Sequence, residues 1–203
     1  MNKPYIALNE DFPGIISLFM FDKGMAKHLS GMAQELMRRE SSGLTIGERE
    51  LIAALVSNMN DCDFCYSSHK SCALETAENP DIVTKFFDGK DSEVLSMKMR
   101  ALTIVAFHVT YLNRDQIGQA IQDAKGFGAT DQDIHDTVAI TAMFCMCNRY
   151  VDGLGTTFKP GEPAEGGKSL AKYGYLMTPV RFAKEVVPKI FSSIFGKMSQ
   201  EGK

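Results

Sequence analysis

Apolar residues recur every three or four positions through most of the chain, the spacing that turns one helix face into a core, and no segment shows the residue-by-residue alternation of a half-buried strand. A short apolar stretch covers residues 14–22 and breaks near Gly24; an amphipathic helix follows over 25–39, carried by Met25, Leu29, Met32, Leu36 and Met37. Thr45-Ile46-Gly47-Glu48 is a capping box, in which a hydroxyl and a carboxylate satisfy free N–H groups at a helix start. The apolar run Leu51, Ile52, Ala54, Leu55, Val56 carries that helix to about Asn58, and Asn60 or Asp61 is placed to cap the next one. Further helices are predicted near 80–87, from Ser92 to about Leu112, from Asp115 to about Lys125 and from Asp131 to Val151, with short connections carrying Gly, Asn, Asp or Pro. The pattern predicts an all-α helical bundle over residues 1–158.

The composition changes at Lys159-Pro160-Gly161-Glu162-Pro163-Ala164-Glu165-Gly166-Gly167, which reads as a linker. Residues 159–203 are thus a linker and a C-terminal extension, where Val180, Ala183, Val187, Ile190, Ile194 and Phe195 repeat at helical spacing among Lys184, Lys189 and Lys197. Pro188 kinks or divides that helix. A basic amphipathic helix can meet a membrane surface or a partner, but most apolar stripes bury themselves, here on the domain or a neighbouring subunit.

The candidate chemistry sits in Asn60-Asp61-Cys62-Asp63-Phe64-Cys65-Tyr66-Ser67-Ser68-His69. Spacings of three and four align Cys62, Cys65 and His69 on one helix face. Cβ atoms about 5–6 Å apart at i,i+3 allow a disulfide with little backbone adjustment. His69, one turn beyond Cys65, can exchange a proton with its sulfur. If the two helices form an antiparallel hairpin, facing residues have numbers summing to about 119, and Glu50 faces His69. A glutamate in a helix's first turns is favourable through the dipole alone. Across from an imidazole and a dithiol, it also makes a proton relay suited to nucleophilic sulfur chemistry.

The 203-residue chain has a formal net charge of −3, which leaves no electrostatic footprint for nucleic acid. No apolar run approaches the roughly 18–20 residues of a membrane span, and Met1-Asn2-Lys3-Pro4-Tyr5 does not lead into a signal-peptide core. A cytoplasmic protein without an integral membrane segment is expected. Five cysteines, an odd number, fit a reducing compartment where Cys-x-x-Cys is more often catalytic or metal-binding than structural. Cys62, Cys65, His69 and Cys72 share a stripe, but ten residues at a rise of about 1.5 Å put Cys72 roughly 15 Å from Cys62, too far for one zinc ion; Cys62, Cys65 and His69 with a water stay open as a metal alternative. A thioredoxin-like fold needs strands that the pattern lacks. Cys72, Cys145 and Cys147 read as core fillers, His28, His108 and His135 as structural or exposed, and Arg149 with Asp152 as an ion pair at a helix end.

Glu50, eleven intervening residues, then Cys62-x-x-Cys65-x-x-x-His69 resembles the signature of the alkylhydroperoxidase D-like, or carboxymuconolactone decarboxylase-like, superfamily of all-helical proteins. The runs Gly47-Glu48-Arg49-Glu50-Leu51-Ile52-Ala53 and Asn148-Arg149-Tyr150-Val151-Asp152-Gly153-Leu154-Gly155 are most similar to its peroxidase-related branch, and the likeness covers residues 10–156. Some members carry a histidine immediately before the second cysteine, where this chain has Phe64; the decarboxylase branch generally lacks the cysteine pair. The resemblance implies an antioxidant thiol peroxidase that reduces hydrogen peroxide or organic hydroperoxides and is recharged by an external dithiol or protein electron donor. It also implies a homo-oligomer, trimeric or hexameric. The cysteine pair is itself the redox group, with no cofactor. Cys62 lies nearer the helix N-terminus, where the dipole favours a thiolate, but Cys65 is one turn from His69 and matches the family's peroxide-reactive cysteine, so Cys65 is taken as the attacking sulfur. A general disulfide reductase and a non-catalytic redox or metal sensor are the alternatives.

Overall fold

The protein is described by a computed structural model over residues 3–39, 43–176 and 187–188. Among these residues there are nine α-helices and no strand: α1 Ile15–Phe21, α2 Lys23–Met37, α3 Ile46–Met59, α4 Asp63–Thr76, α5 Pro80–Phe87, α6 Met97–Thr110, α7 Arg114–Gly126, α8 Asp131–Gly153 and α9 Glu162–Tyr173. The all-α expectation holds. The apolar repeat expected from Val180 to Phe195 lies outside the described residues except at 187–188.

Local chemistry sets the boundaries. The break after α1 falls at Asp22 and not at Gly24, because the Asp22 carboxylate accepts the Met25 N–H at 2.9 Å and starts α2. Thr45 and Glu48 close the expected capping box on α3, with bonds of 3.2 and 2.8 Å. The single helix expected from Ser92 is instead a 3-10 turn, Ser92–Val94, followed by α6. The difference has a cause: Ser96 Oγ accepts the Met99 N–H at 3.2 Å and restarts the helix there.

Helix α3 is central, with residues 49–54 all buried, and it packs against α4, α6 and α8. A helix apolar nearly all round belongs inside a core. Arg49 and Glu50 are the charged exceptions, and the Arg49 guanidinium holds Asp136 of α8 at 2.6 Å, both side chains fully buried, and donates to the Leu36 and Leu44 carbonyls. This buried pair ties α3 to α8 and to the end of α2.

The stretch expected to be a linker becomes α9 from Glu162 onward. Gly161, at φ 88°, turns the chain, and Pro163 falls in the first helical turn, where its missing N–H costs nothing. Gly167 then lets α9 lie directly on α4, since a Cβ there would stand 2.1 Å from the Ser68 carbonyl oxygen. No described helix is long and apolar enough to cross a membrane.

Candidate active site

Helices α3 and α4 form the expected hairpin. Asp61, at φ 56°, reverses the chain, and the Cys62 N–H reaches back to the Ser57 carbonyl at 3.0 Å. The cap differs from expectation. Cys62 is itself the N-cap residue of α4, without a side-chain cap bond, because Asn60 turns its amide to Asn148 at 2.9 Å and Asp61 takes up the reversal.

Glu50 and His69 meet as the pairing rule requires. Glu50 is fully buried, and its Oε2 lies 2.7 Å from His69 Nδ1. Its Oε1 accepts from Arg38 Nη1 at 2.7 Å and from the Tyr175 hydroxyl at 2.8 Å. Burial opposes the Glu50 charge, but the His69 hydrogen bond and charge and the Arg38 guanidinium outweigh it and hold the carboxyl below its ordinary value. An ionised carboxylate only accepts hydrogen bonds, so His69 carries its hydrogen on Nδ1 and keeps Nε2 as the nitrogen that can take a proton. The imidazole is fixed between the Phe144 edge, 4.3 Å between centroids, and the parallel Tyr175 ring at 6.2 Å.

The two sulfurs are brought together as well, at 1% and 3% residue exposure for Cys62 and Cys65. Leu18, Phe64 and Val151 pack around them, with Ile15, Leu154 and Phe158 outside. The Cys65 thiol is pushed well above its ordinary value by the hydrogen bond it shares with Cys62 and by burial, while Asn148 acts in the opposite direction. Asn148 is oriented for this: its Oδ1 accepts from Asn60, and its Nδ2 donates to Ser57 Oγ at 3.1 Å and still has a second hydrogen. A surface depression lined by Asn60, Asn148, Arg149, Asp152 and Gly153 adjoins the pair, and burial raises the Asp152 carboxyl against a hydrogen bond from Cys62.

Between the two halves there is no direct bond; among the described residues His69 is hydrogen-bonded to neither sulfur. Cys72 is fully buried, with Arg38 Nη2 at 3.5 Å from its sulfur, and Cys145 and Cys147 are half-buried. The expected Arg149–Asp152 pair does not form, since Arg149 donates to the Cys145 carbonyl at 2.8 Å. Three residues of the site were not read from the sequence: Arg38, Asn148 as a donor to sulfur, and Tyr175. Of these only Asn148 left a signal, inside the run that carried the family likeness.

No family model and no curated protein matches the chain. Solved structures do. An uncharacterized peroxidase-related protein from Ralstonia eutropha JMP134, described as an alkylhydroperoxidase AhpD core, superposes with a TM-score of 0.66 at 23% identity over 77% of this chain and 81% of that one. An uncharacterized peroxidase-related protein from Silicibacter sp. TM1040 gives 0.64 at 22% identity over 73% and 77%. The class is therefore an all-helical protein built around a Cys-x-x-Cys helix hairpin. Within that class the fold is the one these two peroxidase-related structures share.

Proposed function

We propose that the protein is a thiol peroxidase that reduces hydroperoxides through a Cys62–Cys65 dithiol/disulfide cycle. The observation that carries this reading is a buried dithiol one helical turn from a histidine fixed by an ionised, fully buried glutamate. The Cys65 thiol retains its proton until a base removes it, and His69 Nε2 is the base at hand.

A proton passes from Cys65 to His69 through one water or through the peroxide itself, which spans the gap between them. The Cys65 thiolate attacks the O–O bond, forming Cys65 sulfenic acid and releasing an alkoxide or hydroxide that takes the proton back and leaves as alcohol or water. Cys62 then attacks the sulfenic sulfur, giving the disulfide and one water. An external dithiol, small or on a donor protein, restores both thiols and is itself oxidised to a disulfide. The same chain is expected to self-associate: Met97, Ile104, Phe107 and Tyr111 leave an exposed apolar stripe along α6 and its end, and sedimentation at micromolar concentration should show species larger than the monomer.

The test is stopped-flow oxidation of the reduced protein by hydrogen peroxide and by a bulky organic hydroperoxide, with thiols counted before and after. The expected result is loss of two thiols per chain and one peroxide consumed. Reaction with disulfides but not with either peroxide replaces this reading with a general disulfide reductase.

A further inference from the structure

We propose that the segment following α9 completes the proton relay, with Tyr175 as the positioning residue for Glu50 and His69, an assignment that rests on the peroxidase reading of the dithiol. Glu50 has two oxygens and receives donors from His69 on α4, Arg38 just beyond α2 and Tyr175 just beyond α9, with the Cys72 thiol of α4 also bonded to it. Only Tyr175 also touches the imidazole, with its hydroxyl 3.4 Å from Nδ1 and its ring parallel to His69 within 11°.

Several independent features deliver this one hydroxyl. Gly167 allows α9 to seat on the backbone of α4. Arg38 bridges Glu50 to the Leu170 carbonyl near the end of α9, at 3.0 Å, and its guanidinium lies 5.0 Å from the centre of the Tyr175 ring. Gly174, at φ 69°, turns the chain where any Cβ would stand 2.5 Å from Gln34 Oε1. That same Gln34 oxygen then accepts the Tyr175 N–H at 2.8 Å. A tyrosine left merely to fill space needs none of this backbone anchoring.

The physical consequence is directional. With Tyr175 in place, Oε1 is shared by two donors on one side of Glu50 and Oε2 meets His69. Without the hydroxyl, Oε1 keeps the Arg38 bond but loses the donor that also touches the imidazole, and the carboxylate is held less firmly in register with His69. The ionisable groups facing Glu50 are then Arg38, His69 and Cys72.

The experiment uses the full-length reduced chain and two readouts: the pH profile of Cys65 alkylation by iodoacetamide from about pH 6 to 10, read by mass spectrometry, and the rate of oxidation by peroxide. Tyr175→Phe is expected to move the alkylation profile and to slow peroxide oxidation about tenfold, the effect of one hydrogen bond to a charged group. Gly167→Ala, which touches no relay residue but lifts α9 from α4, is expected to give the same profile as Tyr175→Phe. Lys168→Ala, on the exposed face of α9, is expected to match the unmodified protein. An unchanged profile and rate in Tyr175→Phe overturns the assignment whatever Gly167→Ala does. Because alkylation needs no peroxide, a shifted profile in a protein inert to peroxide supports the role of Tyr175 and removes the peroxidase reading instead.

Discussion

Glu50 carries more of the site than any other side chain, and its replacement separates two effects. Glu50→Gln keeps the shape but removes the charge that orients His69, so peroxide oxidation should slow by roughly 10²–10⁴-fold, as for lost acid–base assistance. It also leaves Arg38, only 10% exposed, without its counter-charge, which should cost about 1–3 kcal/mol of stability. Urea denaturation run beside the kinetics distinguishes them: a variant as stable as the parent with an unchanged rate removes Glu50 from both roles. The sulfurs are assigned by a second pair of substitutions. Cys62→Ser should react once and accumulate a sulfenic acid on Cys65 that dimedone traps, and Cys65→Ser should barely react. An adduct on Cys62 in Cys65→Ser, formed at the parent rate, reverses the assignment. Asn148→Ala belongs with these: losing the one donor that works against the raised Cys65 value, it should shift Cys65 alkylation to higher pH. The Glu50–His69 contact was legible in the sequence because a tight antiparallel hairpin fixes which residues face each other. Arg38 and Tyr175 were not, because each reaches Glu50 only after α2 and α9 have docked, and no local spacing encodes that.

At the scale of elements, the sequence was most informative where side chains act on their own backbone and least where two helices choose each other. The Thr45–Glu48 box and the paired helix starts of α5 and α8 are local, and they fall where the pattern places them. The Pro/Gly run from Lys159 misled for a physical reason: Pro and Gly mark turns in general, yet a left-handed Gly161 followed by Pro163 is also a good way to begin a helix. Within α9, Gly167 reflects a close approach to α4 that only the packed structure reveals. Arg49 likewise gave no sign in the sequence of being a core residue. Its burial with Asp136 makes it a structural tie and not a part of the relay, so Arg49→Met should destabilise by about 3 kcal/mol, the effect of leaving a buried partner uncompensated, while alkylation of Cys65 in the surviving folded fraction stays unchanged. Thermal and urea unfolding give the first quantity, and mass spectrometry gives the second.

For the molecule as a whole, the buried titratable groups set two pH limits of opposite sign. Glu50 ionises more readily in the folded chain than at its ordinary 4.5, so the folded state binds fewer protons there than the unfolded one. Its contribution is present above about pH 4.5 and is lost as pH falls through the lower folded value. Cys65, Cys72, Cys147 and Tyr175 act the other way, since all four are raised, Cys147 to about 12 by burial and the nearby Cys62. Unfolded thiols release their protons near 9 and the folded ones hold them, so that contribution is intact below about pH 9 and is lost as pH rises through the folded values. The unfolding free energy should therefore be level between about pH 4.5 and 9 and fall on either side, by about 1.4 kcal/mol per pH unit for each proton difference. Forming the Cys62–Cys65 disulfide removes Cys65 from the alkaline set, so the oxidised protein should lose stability more gently above pH 9 than the reduced protein. Urea denaturation of both forms across the alkaline range measures the two slopes, and equal slopes would show that Cys65 does not retain its proton in the folded dithiol.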